Sequence, residues 1–113
     1  MSRPSPEPWR YPLWDRSPER KAGANLTRFA AFAAEARGEG FADYAAMHRW
    51  SVDEPEAFWS TLFRYLDPVC RRQPETVIRD ADAMPGAKFF PEAELNFAEN
   101  LLRYRGPLPA IIF

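Results

Sequence analysis

The chain has few of the residue types that build metal centres, disulfide frameworks and membrane spans. Its 113 residues include a single cysteine, Cys70, and a single histidine, His48. One cysteine excludes a disulfide framework within the chain, and these two side chains are too few ligands for a metal site. No apolar segment approaches the about 20 residues that a transmembrane helix needs, and residues 1–8 have no signal-peptide core. We therefore expect a cytoplasmic protein without a metal site.

Neither rare residue has the neighbours that catalysis requires. A catalytic histidine needs an orienting partner, and the sequence offers none for His48, so we interpret it as a surface or packing residue. No histidine base lies near Cys70, and only Arg71 and Arg72 favour ionisation of its thiol. We expect an inert thiol near a loop, and we predict no catalytic, cofactor-binding or metal-ligating residue in this chain.

An excess of charge of one sign is also lacking. The 15 basic and 16 acidic residues are interspersed and leave a net charge of −1. No basic block favours nucleic acid and no basic amphipathic face favours a membrane, so we expect neither partner. The residues that are present, 46% hydrophobic and 15% aromatic, are typical of one small folded domain.

Proline is abundant, with 12 residues in the chain, about twice the usual frequency. Much of the backbone should therefore be extended or in turns. Residues 1–12 carry four of these prolines and cannot form a regular helix. We predict a flexible lead that becomes an extended arm, with four possible anchors on the body of the domain: Trp9, Tyr11, Leu13 and Trp14.

Residues 48–66 carry the clearest structural signal. Pro55 suits the first helical position and predicts a helix over 55–66, which Asp67 and the following proline end. Residues 51–54 are predicted to form a capped turn before it. Two capping boxes are possible there: Ser51 with Glu54, or Asp53 with Glu56.

The apolar residues of this central helix recur at offsets that place them on one side of a 3.6-residue spiral. Glu56 and Arg64 are left facing solvent. We interpret the stripe as core rather than as a binding face, and we predict that Trp59 is buried against the first and last helices. The stripe consists of Phe58, Trp59, Leu62, Phe63 and Leu66.

Three further helices are predicted from caps and apolar spacing. They cover residues 18–37, capped by Ser17 and ended by Gly38 or Gly40; residues 41–50, capped by Asp43; and residues 95–103. Their expected inner sides are Ala22, Leu26, Phe29, Ala33 and Ala36 in the first and Leu95, Ala98, Leu101 and Leu102 in the last. In the second, Tyr44, Met47 and Trp50 recur at a spacing of three.

The segment between the last two helices should be irregular. Residues 76–78 form a short run with β propensity, residues 84–86 predict a type II turn, and residues 89–91 should be extended. Asn96 and Asn100 share one helix face. They are either a cap and an exposed amide, or a structural pin that ties loop backbone together.

Residues 110–113 have the composition of a buried strand, and the chain stops inside it. An isolated pair of short strands is marginally stable at best, so we interpret the chain as a truncation whose last strand opens a further domain. The alternative is a freestanding helical module that binds a partner through its aromatic face. A bare apolar edge at the end of such a module would invite aggregation.

Several segments, in order, resemble the N-terminal region of acetoacetyl-CoA synthetases, which are adenylate-forming acyl-CoA ligases. The resemblance covers nearly the whole chain. It rests on Pro12-Leu13-Trp14, Ser17-Pro18-Glu19-Arg20, Asn25-Leu26-Thr27-Arg28-Phe29, His48-Arg49-Trp50-Ser51-Val52, Pro55-Glu56-Ala57-Phe58-Trp59, Met84-Pro85-Gly86-Ala87-Lys88-Phe89-Phe90-Pro91, Leu95-Asn96-Phe97-Ala98-Glu99-Asn100-Leu101-Leu102 and Pro109-Ala110-Ile111-Ile112-Phe113.

This resemblance implies a mainly α fold, a small irregular helical cap with extended proline-rich arms. The implied organisation is a lead over 1–12, an acetyl-CoA synthetase-type N-terminal domain over 13–106, and over 107–113 the first strand of a missing α/β AMP-binding domain, its expected partner. The family uses ATP, Mg and CoA. The five glycines are scattered singly and the lysines are Lys21 and Lys88, so no phosphate loop can be drawn. We expect this segment alone to be inactive.

Overall fold

The computed structural model describes residues 14–109 and 111–112. The predicted anchors Trp9, Tyr11 and Leu13, and the strand residues Ala110 and Phe113, lie outside the described residues. Among those described, the elements in chain order are α1 (Pro18–Ala22), α2 (Asn25–Arg37), α3 (Tyr44–Asp53), α4 (Pro55–Leu66), β1 (Cys70–Arg72), β2 (Ile78–Arg79), β3 (Lys88–Phe89), β4 (Glu94–Leu95) and α5 (Phe97–Leu101). The described part of the chain is mostly helical, as predicted.

The first predicted helix is two helices, α1 and α2. Ser17 caps α1 by accepting a hydrogen bond from the Arg20 N–H, as expected. In a continuous helix the Lys21 carbonyl would accept from the amide four residues on. Instead it accepts from the Ala24 N–H at 3.2 Å and the Thr27 hydroxyl at 2.6 Å. This competing acceptance ends α1 at Ala22, with Gly23 as its C-cap.

The inner side of α2 also differs from the prediction. Phe29 and Ala33 are buried, but Ala22, Leu26 and Ala36 are exposed. Half-buried Ala30 and Phe32 lie beside the buried pair, so the core-facing side is displaced around the helix from the predicted one. The helix ends at Gly38, one of the two predicted stops. Its φ of 74° is the left-handed conformation expected of a glycine that ends a helix.

Helix α3 begins and ends three residues later than predicted. The Asp43 carboxylate accepts from the Ala46 N–H at 2.7 Å and so caps the helix as expected. The predicted turn at 51–54 is wrong, because α3 continues to Asp53 and only Glu54 separates it from α4. Neither capping box closes α4, and the Ser51 hydroxyl donates back to the His48 carbonyl at 2.7 Å. The predicted bounds of α4 are confirmed.

The core lies where α2, α3 and α4 meet. It contains Phe29, Ala33, Met47 and Trp50, with Phe58 and other half-buried residues of α4 packed against them. The Phe58 ring lies edge-on to Phe29 at a centroid distance of 5.9 Å and to Trp50 at 5.6 Å. Such aromatic pairs contribute about 0.5–1.5 kcal/mol each beyond the area they bury.

The apolar stripe of α4 is divided between two neighbours. Phe58 and Leu62 pack against the helical core, whereas Trp59 and Phe63 contact Phe89 and Phe90 at centroid distances of 4.9 and 4.7 Å. The prediction that Trp59 is buried between the first and last helices is therefore wrong, since the ring is half-buried against β3. Leu66, the last member of the stripe, is 53% exposed.

The irregular half contains two small antiparallel pairs, β1 with β4 and β2 with β3. Strand β2 lies at the end of the predicted β-prone run. The turn before β3 is closed by the Ala87 N–H on the Ala83 carbonyl at 3.1 Å. This hydrogen bond joins residues four apart in the sequence, whereas a type II turn closes between residues three apart. The predicted type II turn is therefore wrong.

Phe90 corrects the prediction that residues 89–91 are extended. Its φ is 47°, a conformation that is unusual for a bulky residue. Its N–H donates to the Val77 carbonyl at 2.8 Å, and its ring packs on Phe63. These two contacts hold the loop against α4 and offset the backbone strain.

Glu92 ties the same loop to the β2 side. Its carboxylate accepts from the Thr76 N–H at 3.1 Å, the Thr76 hydroxyl at 3.0 Å and the Arg79 guanidinium at 2.7 Å. Removal from water acts to raise the pKa of Glu92. The Thr76 hydrogen bonds and the Arg79 charge outweigh that effect, so the pKa lies below its ordinary value.

We predict that Phe29→Ala lowers the free energy of unfolding by about 3–5 kcal/mol, because the deletion leaves a cavity beside Phe58 and Tyr65. Phe97→Ala is the matched control, since Phe97 is 74% exposed. Chemical denaturation of both variants measures the difference. Equal losses in the two variants would show that the core does not lie between α2, α3 and α4.

Glu92 also predicts a pH dependence. Because its folded-state pKa is lower than the unfolded value of about 4.3, its contribution is present above that pH and is lost as the pH falls through the folded pKa. The stability difference between the parent chain and Glu92→Gln should therefore shrink in acid, as measured by denaturation at several pH values. Glu94→Gln, a change at a nearby exposed carboxylate, should have little effect at any of them.

Candidate docking surface

Asn100 holds α5 to the segment that follows α4. Its side-chain oxygen accepts from the Val69 N–H at 2.8 Å, and its amide nitrogen donates to the Val69 carbonyl at 2.9 Å and the Asn96 carbonyl at 3.0 Å. Asn96 caps α5 by accepting from the Glu99 N–H at 3.1 Å. Of the two interpretations left open for this pair, Asn100 is the structural pin and Asn96 is the cap.

Arg103 makes the second connection between α5 and α4. Its guanidinium donates to the Asp67 carbonyl at 2.6 Å and the Leu66 carbonyl at 3.1 Å. Carbonyls at a helix C-terminus lack intrahelical partners and carry partial negative charge, so a guanidinium is a favourable cap. This role was not predicted from the sequence. The position of a basic residue just after a short capped helix could have indicated it.

These polar contacts bring α5 to the rest of the molecule without burying its apolar side chains. The predicted inner side of the last helix is wrong, because Leu95, Ala98, Leu101 and Leu102 are all exposed. Helix α5 spans only Phe97–Leu101, and its bonds to Val69 are made by Asn100. The sequence indicated an apolar side of this helix, but no element of the described chain covers that side.

Eight large side chains between positions 95 and 112 are between 51% and 86% exposed. We call them the C-terminal apolar set. Monomeric soluble proteins rarely expose extensive apolar surface, and such surface marks an interface. The members are Leu95, Phe97, Leu101, Leu102, Tyr104, Leu108, Ile111 and Ile112.

A groove of about 470 Å³ lies beside this set, between α5 and Val69, with Leu102 and Arg103 in its wall. Ile111 and Ile112 are the described residues of the predicted final strand, and neither is in a strand. That the strand opens a further domain stays a prediction. Trp14, the one described residue of the predicted arm anchors, is 66% exposed.

The candidate catalytic side chains are not brought together. His48 is exposed on α3, where its ring stacks on Tyr44 at a centroid distance of 6.3 Å, and Cys70 is a free, half-buried thiol in β1. Within the described ranges, 14–109 and 111–112, no three His, Cys, Asp or Glu residues are grouped so that they could hold a metal ion. The same residues include no helix that is both long and apolar enough to cross a membrane. The candidate functional feature of the described surface is therefore its exposed apolar side chains.

Comparison with known proteins places this geometry in a family. Residues 44–101, just over half of the chain, match the family model described as acetyl-coenzyme A synthetase N-terminus. The chain belongs to this family. The matched region begins at the first residue of α3 and ends at the last residue of α5, so it includes the central helix and the Asn100 pin.

Two similar proteins are named as acetoacetyl-CoA synthetases. The chain is 43% identical over 102 residues to that of Rhizobium meliloti (strain 1021), which covers 90% of this chain and 16% of the relative. It is 30% identical over 94 residues to that of Gallus gallus, covering 82% of this chain and 14% of the relative. This acetyl-coenzyme A synthetase N-terminus domain thus spans about a sixth of the length of these relatives.

A solved structure has the same fold. Acetoacetyl-CoA synthetase from Streptomyces lividans matches with a TM-score of 0.70 and 44% identity, over 79% of this chain and 14% of that one. The sequence resemblance to the N-terminal region of acetoacetyl-CoA synthetases is confirmed. The described fold is therefore that of a short N-terminal part of much longer proteins.

We predict that Asn100→Ala costs about 1–2 kcal/mol, because three hydrogen bonds of modest net value are lost and the Val69 amide loses its acceptor. Hydrogen exchange at the Val69 amide should accelerate. Asn100→Asp is the control, since it keeps the acceptor for that amide and removes only the donor, so exchange at Val69 should change less. Equal exchange in all three proteins would show that Asn100 does not hold α5.

Proposed function

We propose that this chain is the N-terminal, non-catalytic region of an acyl-CoA synthetase that activates acetoacetate. In such an enzyme the carboxylate attacks the α-phosphate of ATP, pyrophosphate leaves, and the CoA thiolate then displaces AMP from the acyl-adenylate. The observation that carries the proposal is the 43% identity over 90% of the chain to a protein named for this activity.

The role assigned to the chain is structural. His48 and Cys70, the two candidate catalytic side chains, lie on different elements, α3 and β1, and neither is hydrogen-bonded to an activating partner among the described residues. The C-terminal apolar set is instead suited to pack against a larger α/β domain that binds ATP, Mg and CoA. Burial of apolar surface contributes about 25 cal/mol per Å², so eight side chains that are at least half exposed represent a substantial interface.

The position of the set supports this partner. It lies at the C-terminal end of the described chain, in the 18 residues that lead out of the helical unit. A domain continued from this end meets these side chains first, without crossing the three-helix core. Asn100 and Arg103 then fix the orientation of α5 toward it.

A freestanding interaction module is the second candidate. The observation that favours it is the core between α2, α3 and α4, which these three helices form among themselves. In that case the C-terminal apolar set would serve an unrelated protein. The two candidates differ in whether the chain can replace the corresponding region of a synthetase.

The test is a chimaera in which this chain replaces the matching N-terminal region of the Streptomyces lividans enzyme. We expect acetoacetate-dependent exchange between ATP and pyrophosphate close to that of the parent enzyme, because the docking surface is retained. The isolated chain should show none. Leu101→Glu in the chimaera should reduce exchange, whereas Val52→Glu, at an exposed valine on α3, should leave it nearly unchanged.

A folded chimaera without exchange would contradict the proposed origin of the chain. Exchange by the isolated chain, unaffected by further purification, would contradict its non-catalytic role. Thermal melts of each chimaera separate these outcomes from failure to fold.

A further inference from the structure

A second apolar surface adjoins α4 through Phe58, Leu62 and Leu66, next to the side that carries Trp59 and Phe63. It is a groove of about 360 Å³ between α2, α3 and α4. Its floor is formed by core side chains, including Phe29, Met47 and Phe58. Its rim carries Leu26, Tyr44 and Leu66, each of which is at least half exposed. An open apolar groove beside the core of a small domain favours an occupant.

We propose that this groove binds the aromatic arm that precedes α1 in the same chain, with Trp9, Tyr11 and Leu13 directed into it. The proposal does not depend on the acyl-CoA synthetase function.

The spacing of the arm residues fits such a groove. Side chains at i, i+2 and i+4 lie on one face of an extended chain, and the three large apolar residues occupy positions 9, 11 and 13. Pro8 and Pro12 favour extended backbone and lack an N–H donor, so the arm needs fewer hydrogen-bond partners in an apolar site. On an extended chain, position 10, which is Arg10, belongs to the opposite face.

The described residues next to the arm are connected to α2, one of the helices that form the groove. The Asp15 carboxylate pairs with Lys21 Nζ at 2.6 Å, and the Lys21 carbonyl accepts from the Thr27 hydroxyl at 2.6 Å. These contacts fold the start of the described chain back toward the first turn of α2. Two residues of that turn, Asn25 and Leu26, line the groove.

The arm is long enough to cross it. Five extended residues span about 17 Å, whereas packed helices lie about 8–10 Å apart. A segment joined by so short a connection has an effective concentration in the millimolar range, so even a weak contact is populated. The polar groups at the edge, on Asn25, His48 and Ser51, provide partners for the Tyr11 hydroxyl or the Trp9 indole N–H.

The experiment places a nitroxide label near the start of the arm in the full chain. Ser5→Cys carries the label in a Cys70→Ser background, and NMR records the loss of peak intensity along the chain. We expect selective loss at Leu26, Met47 and Leu66. Replacement of Trp9 and Tyr11 by alanine should abolish this selectivity, because the anchors are removed while the helical core is untouched.

A matched pair of surface variants identifies the binding surface. Leu66→Glu places a charge on the groove rim and should release the arm, whereas Leu101→Glu places the same charge on α5 and should not. Both leucines are more than half exposed, so neither change disturbs the core. Unchanged intensity loss in the Leu66 variant would overturn the proposal.

Three further results would also overturn it. Intensity loss that is uniform along the chain would show that the arm has no fixed site. Loss centred on Leu101 would assign the arm to the C-terminal apolar set. Loss at Leu26 and Leu66 that appears only when nitroxide-labelled chains are mixed with separate isotope-labelled chains would assign the groove to a second copy of the protein.

Discussion

The fold depends on the ring of Phe58, which lies edge-on to Phe29 of α2 and Trp50 of α3. Helices of 10 to 13 residues are marginal by themselves in water, because nucleation is costly and propensity is weak. Packing around the Phe58 ring supplies the stability that helix propensity alone does not provide. Helix formation in α2, α3 and α4 is therefore coupled through one side chain of α4.

The neighbouring side of α4, which carries Trp59 and Phe63, determines the arrangement of the irregular half. Strands of two or three residues are not stable alone, and here they are positioned by Trp59 and Phe63 on the β2–β3 side. Single polar side chains complete the arrangement: Glu92 holds the loop, and Asn100 and Arg103 hold α5. Because α5 is attached through polar contacts, its apolar side chains stay available, which is what the proposed docking to a larger domain requires.

A part of the fold could be predicted from the sequence when residues close together in the chain determine it. The bounds of α4 were correct because Pro55 and the apolar stripe act within one helix. The break at Gly23 was missed because it depends on the Thr27 hydroxyl competing for a carbonyl. The inner side of the last helix was wrong for another reason: an amphipathic pattern states which side is apolar, but not whether the same chain covers it. The groove depends on three helices packing together and had no signal in any one segment.

The most direct measurement is photochemical footprinting of side chains with a diazirine, applied to the isolated chain and to the chimaera with the Streptomyces lividans synthetase. We expect strong labelling of Phe97, Leu101 and Leu102 in the isolated chain and a marked loss in the chimaera, because the larger domain covers them. Phe29 should be weakly labelled in both proteins. Equally strong labelling of Phe97, Leu101 and Leu102 in a folded chimaera would contradict the claim that this surface docks the enzyme's catalytic domain.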